Sequence, residues 1–149
     1  MENERVIQVL TQLVETSRDG QRGYREAAEN IENPELRAFF NDQSIERARF
    51  AGELESQIER LGEGDIKEIG SVGSALHRAW MGLKSSLGGG DHAILNSVES
   101  GEDAAKEAYE KALREPLPNN IMLIVQRQAA SVVAAHDHVK ALRDRRKAA

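Results

Sequence analysis

Apolar residues recur along this chain at spacings of three and four and nowhere alternate strictly, so the pattern predicts helices rather than strands. The first stripe, Val6, Leu10, Leu13, Ser17, Gly20, Tyr24, Ala27 and Ile31, predicts a helix over 3–31. Asn33-Pro34-Glu35 then reads as N-cap, first-turn proline and early acid, opening a second helix over 34–62. Its stripe is Leu36, Phe40, Gln43, Arg47, Phe50, Leu54, Ile58 and Leu61, and Gly62 and Gly64 can take the positive φ that ends a helix. A shorter stripe, Val72, Leu76, Ala79, Trp80, Leu83 and Leu87, predicts a helix over 72–87 that Gly88-Gly89-Gly90 stops. Asp91 reads as the cap of a third long helix over 91–115, with Leu95, Val98, Glu102, Ala105, Tyr109 and Ala112 on its stripe, until Pro116-Leu117-Pro118 breaks it. The fourth, over 118–146, carries Ile121, Val125, Gln128, Val132, Ala135, Val139 and Leu142.

Link lengths then set the connections. The links from the first to the second and from the third to the fourth long helix are tight, so each pair forms an antiparallel hairpin. Between the second and third lie roughly 28 residues, too many for a turn. The helix expected over 72–87 spans about 24 Å at 1.5 Å per residue, and its flanking loops supply the rest of a passage along the bundle. Two hairpins joined by one long crossover are the ferritin-like pattern. The expected fold is therefore all-α: a single-domain ferritin-like four-helix bundle over 1–149, with a short crossover helix between its second and third long helices.

A chain of 149 residues with 40% hydrophobic residues suffices for one domain with a substantial core. Cysteine is absent, which excludes disulfides and thiolate metal sites. The longest apolar run, Ile121 to Val125, is too short to cross a bilayer, and Glu2, Glu4, Arg5, Gln8 and Gln12 interrupt any apolar signal region, so a cytoplasmic protein is expected. The net charge is −5, and the cluster Lys140, Arg143, Arg145, Arg146 and Lys147 suits the end of a helix, so neither nucleic acid nor membrane is the expected partner. Self-association into a homo-oligomer is expected instead.

The segments 19–28 (Asp-Gly-Gln-Arg-Gly-Tyr-Arg-Glu-Ala-Ala), 33–36 (Asn-Pro-Glu-Leu), 46–54 (Glu-Arg-Ala-Arg-Phe-Ala-Gly-Glu-Leu), 101–105 (Gly-Glu-Asp-Ala-Ala) and 135–137 (Ala-His-Asp) follow one another in an order and spacing that resemble a known family. It consists of small bacterial proteins of unknown function assigned to a ferritin-like four-helix-bundle domain. The resemblance extends from about Leu10 to Leu142 and implies a fold, while the family carries no assigned activity.

Each long helix also breaks its apolar stripe near mid-length, at Ser17 and Gly20 with nearby Gln21, at Gln43, at Glu102 and at Gln128. Four breaks at similar depth predict a buried polar layer of Ser17, Gln21, Gln43, Glu102, Tyr109 and Gln128, bonded internally or to Arg47 and Tyr24, because a buried polar group without a partner costs about 1–3 kcal/mol. A ferritin-like bundle builds its di-iron or di-manganese centre at that level from two Glu and two Glu-x-x-His motifs. This chain contains no Glu-x-x-His, and its nearest counterparts put an amide or guanidinium where a ligand is needed. No cofactor and no catalytic residue is therefore expected. The alternative is a di-iron or di-manganese carboxylate protein with oxidase or peroxide-handling activity, drawing on Glu46, Glu102, Gln128, His136 and Glu26 as unconventional ligands.

The remaining candidates have plainer readings. His136 and His138 diverge by roughly 200° around their helix and cannot share an ion within one chain, so a capping or surface role is expected. His92 and His77 read as structural, and Trp80 reads as a cover over the bundle ahead of an oligomer contact. Helix-interior Gly20 and Gly23 each cost about 1 kcal/mol against alanine, which points to close approach of a neighbouring helix or to a local bend. A third possibility is a small hydrophobic ligand held where the third and fourth long helices have small side chains.

Overall fold

The side-chain oxygen of Asn33 accepts hydrogen bonds from the backbone N–H groups of Glu35 (2.9 Å) and Leu36 (3.1 Å), and Pro34 needs no N–H partner there, so a helix opens directly after one has closed. The computed structural model describes residues 2–62, 79–80, 82–84 and 86–148. Its long helices are α1 (Glu2–Asn30), α2 (Pro34–Arg60), α3 (Gly90–Leu113) and α4 (Asn119–Ala148), each bound falling within two residues of the sequence expectation. No strand occurs among the described residues. Of the crossover helix expected over 72–87, positions 79–80, 82–84 and 86 are helical and the others lie outside the described residues or, at Leu87, in a turn. His77 and Gly64 also lie outside them.

Two contacts fix the direction of α3. Asp91 takes the backbone N–H of Glu32 on Oδ1 (2.8 Å) and that of Asn33 on Oδ2 (3.0 Å), clamping the start of α3 to the α1–α2 turn. At the opposite end Arg5 of α1 pairs with Glu115, just past α3. Helix α3 thus runs antiparallel to α1 and parallel to α2, and the chain between Gly62 and Gly89 joins opposite ends of the bundle. Asp91 is not the cap expected of it. The helix opens one residue earlier, Gly89 at the N-cap makes no side-chain bond, and the Asp91 carboxylate serves the neighbouring turn instead. Gly62 and Gly90 take φ of 97° and 85°, the left-handed conformation that frees the chain at the two ends of the crossover.

The stripes of the four long helices all face inward, with only Gln43, Leu61 and Leu142 half-buried. Their apolar side chains form two clusters. One gathers Leu10, Leu13, Leu54, Ile58, Val125 and Val132. The other gathers Tyr24, Ile31, Phe40, Trp80, Leu95 and Val139.

Trp80 closes the second cluster, with its indole wedged between α1 and α3. A Cβ on Gly23 would lie 2.2 Å from the indole Cε3, and one on Gly101 would lie 2.2 Å from Cε2. The two glycines therefore form a notch for this one side chain. Burying an indole gains roughly 4–6 kcal/mol on an area basis, which exceeds the roughly 2 kcal/mol that two helical glycines cost. Neither a helix–helix close approach nor a bend accounts for Gly23. The group it accommodates is a ring from the crossover.

Candidate functional site

Arg47 occupies a stripe position on α2, so the helix aims a guanidinium into the core. It is 1% exposed and its Nη2 donates to Oε2 of Glu102 on α3 at 2.6 Å, with Glu102 0% exposed. Room for the arginine comes from α1, since a Cβ at Gly20 would lie 3.0 Å from Arg47 Nη1. One turn further along, the Tyr24 ring faces the guanidinium, 5.3 Å from its centroid to Cζ, and Tyr24 in turn packs on Phe39, Phe40 and Trp80. Burial works against charge on Arg47, but the Glu102 carboxylate outweighs it and holds the guanidinium protonated above its ordinary range. Burial also pushes the Tyr24 hydroxyl well above its ordinary pKa, Glu102 adds to the rise, and Arg47 partly offsets it.

A second polar group lies nearer the first cluster and joins all four helices. Ser17 of α1 meets the Tyr109 hydroxyl of α3 at 3.3 Å, and Tyr109 donates to Gln128 Oε1 of α4 at 2.8 Å. Gln128 Nε2 then donates to Glu53 Oε1 (3.1 Å) and to the Phe50 carbonyl (3.4 Å) of α2. Glu53 carries the chain to the surface, where it pairs with Arg127. Burial pushes the Tyr109 pKa up to about 12, against a lowering by the Ser17 hydrogen bond.

Of the expected layer, the structure brings together Ser17, Tyr109 and Gln128, and places Glu102 with Arg47 and Tyr24. Gln21 and Gln43 do not join. Gln21 follows Gly20 by one residue, about 100° around the helix; it is half-buried and its Oε1 accepts from Arg18 Nη1 at 3.0 Å. Gln43 is half-buried one turn before Arg47, and the longer arginine makes the contact across the core. Glu26 and Glu46 are half-buried. Among the described residues, the His, Asp and Glu ligand atoms that come within 4.8 Å of one another in a group of three belong to Glu99, Asp103 and His136, so Glu26, Glu46, Glu102 and His136 are not gathered at one point. Among the described residues Glu102 is the one fully buried carboxylate, and it faces a guanidinium, which cannot ligate a cation.

His136 departs from its expected surface role. It is 7% exposed, with Nδ1 3.0 Å from Asp137 Oδ1 and Nε2 2.5 Å from Asp103 Oδ1 of α3. Burial opposes charging the ring, but the hydrogen bonds to Asp137 and Asp103 prevail and raise its pKa. Glu99, Asp103 and His136 each present a ligand atom within 4.8 Å of the others. Sequence reasoning missed Glu99 and Asp103, although their i, i+4 spacing puts both on one face of α3. His138 is exposed against the Phe39 ring, 4.6 Å between centroids, and His92 is exposed. The small residues Ala104, Ala108 and Ala112 do open a groove, but it lies on the surface between α3 and α1, about 360 Å³ in volume, and not between α3 and α4.

No helix among the described residues is long and apolar enough to cross a membrane. A comparison with curated proteins finds no match. The family model of a domain of unknown function (DUF2383) matches residues 5–115, a stretch that holds Arg47, Glu102 and Tyr109 and leaves Gln128 and His136 of α4 beyond it. With most of its length matched, the chain belongs to the DUF2383 family.

Proposed function

We propose that this protein is a non-catalytic, self-associating helical bundle of ferritin-like architecture, with an internal arginine–glutamate pair where a di-metal protein of that architecture holds its ions. The observation that carries this reading is the Arg47–Glu102 contact, 2.6 Å long and sealed from water on both sides. Two divalent ions bring four positive charges and need several anionic ligands. Here one carboxylate faces a cation that the chain itself supplies. The tyrosine, serine and glutamine around it are bonded to one another, which supports a register-setting role over a reactive one. Self-association draws support from Ile45 on α2 and Leu123 on α4, large apolar side chains 60% and 67% exposed. The setting we propose is cytoplasmic, without nucleic acid or membrane as partner.

The deciding experiment is metal analysis of protein purified without chelator, followed by iron and manganese titration. The reading expects no pair of ions that depends on Glu102. Two tightly held ions per chain, lost in Glu102→Gln, would overturn it in favour of the di-metal alternative. Light scattering at micromolar concentration checks the oligomer, and a strictly monomeric mass would remove that part.

A further inference from the structure

We propose that Glu99 and Asp103 of α3 and His136 of α4 form a mononuclear site for a first-row divalent cation of the zinc type, near the surface and separate from the buried arginine. The geometry begins with the ring of His136. Its Nδ1 lies 3.0 Å from Asp137 Oδ1, an orientation in which Nδ1–H donates to the carboxylate and Nε2 is left to face α3. A carboxylate behind one ring nitrogen with the other turned outward is the arrangement that prepares a histidine for a metal. That outward nitrogen faces Asp103 Oδ1 at 2.5 Å. So short a contact needs a positive centre between nitrogen and oxygen, which in the metal-free chain is the proton of the imidazolium and which an incoming cation would replace.

Glu99 supplies the third ligand. The residue is 8% exposed, and its Oε2 is ion-paired with the Arg143 guanidinium in the metal-free chain. Arg143 is a competitor that can withdraw, because its side chain is 28% exposed at the end of α4. Once a cation has displaced the His136 proton, Glu99, Asp103 and Asp137 outnumber the nearby cations Arg143 and Lys106, so the pocket supplies negative charge to the bound ion. One nitrogen and two carboxylate oxygens match zinc in ligand type and leave a fourth position open. Tetrahedral ligands at about 2.0–2.1 Å lie roughly 3.3 Å apart. Side-chain rotations suffice to reach that spacing from ligand atoms already within 4.8 Å of one another.

The test is titration of the full chain with Zn²⁺ by calorimetry and with Co²⁺ by visible absorption, alongside proton NMR of the four histidines. The proposal expects one ion per chain, a tetrahedral Co²⁺ spectrum and movement of the His136 ring signals. Asp103 is exposed, so Asp103→Asn should fold as the wild type does and lose binding at least tenfold, as should His136→Gln. His92→Gln and His138→Gln should bind unchanged. Absence of binding, binding indifferent to Asp103→Asn, or a His136 ring that responds to pH and not to metal would each overturn the proposal. An ion lost through Glu102→Gln but kept in His136→Gln would overturn it too, and would count separately against the core reading above.

Discussion

At the scale of single residues, the Arg47–Glu102 pair is coupled far more than its exposed counterparts. Breaking a buried ion pair from one side leaves a charge stranded, at a cost of about 3–5 kcal/mol, whereas replacing both partners with apolar groups is often close to neutral. Arg47→Met and Glu102→Leu should therefore each destabilise strongly in urea titrations, and the double variant should recover most of the loss. Additive effects would show that the two side chains do not depend on each other. Glu102→Gln should be milder than Glu102→Leu, because an amide oxygen still accepts from Arg47; the reverse order of midpoints would count against burial among donors. The chain's two tyrosines give an alkaline test. Both are held above the ordinary value of 10.0, Tyr109 at about 12, so the unfolded chain loses these protons first. Their stabilisation is complete below pH 10 and is lost as pH rises through the folded values, at roughly 1.4 kcal/mol per pH unit for each residue. Tyrosinate absorbance should appear together with unfolding, and its appearance at pH 10 in folded protein would contradict the burial. Sequence reading located Glu102, Tyr109 and Gln128 because a polar residue on an apolar stripe has nowhere to go but inward. It misjudged Gln21 and Gln43, since one residue of rotation or one longer neighbour decides which amide reaches the centre.

At the scale of elements, the Trp80 notch reverses an ordinary rule. Alanine in place of glycine inside a helix usually stabilises by about 1 kcal/mol. Gly52, with no atom within 4 Å of an added Cβ, should follow that rule, and Gly52→Ala should raise the melting temperature. Gly101→Ala should lower it, because the new methyl overlaps the indole of Trp80. With Trp80→Ala in the background the sign at position 101 should return to stabilising. A Gly101→Ala protein as stable as wild type, with unchanged emission from its single tryptophan, would mean that the ring does not occupy the notch. The glycines were visible in the sequence as a cost awaiting an explanation. What they accommodate was not, because the side chains concerned come from 27 residues away for Arg47 at Gly20 and 57 for Trp80 at Gly23. Asp91 teaches the same lesson: its type and place fit a cap, yet a turn folded against it from 58 or 59 residues earlier claims both oxygens.

For the whole molecule, connectivity was legible because link lengths constrain it: two short links give two hairpins, and a long one allows α3 to start beside the α1–α2 turn. The separation of the core into two apolar clusters was not, since it depends on which polar side chains meet across the middle. That division raises the question whether the ends of the bundle unfold separately. Each long helix passes through both clusters, and fraying one half means interrupting helices at the level where Arg47 faces Glu102 and where Tyr109 faces Gln128. A half-open state would therefore strand buried polar groups, at about 3–5 kcal/mol for the ion pair alone, besides losing the apolar burial of the opened half. We expect one cooperative transition, in keeping with the size of the chain. Trp80 emission reports the cluster that holds Tyr24 and Phe40, and far-UV ellipticity reports all four helices, so their melting curves should superimpose. Emission lost at a lower temperature than ellipticity would show the half around Leu10 and Val132 standing alone. In Arg47→Met combined with Glu102→Leu the two curves should still coincide, because interrupting four continuous helices and losing the apolar burial of one half still couple the halves once the ion pair's contribution is gone.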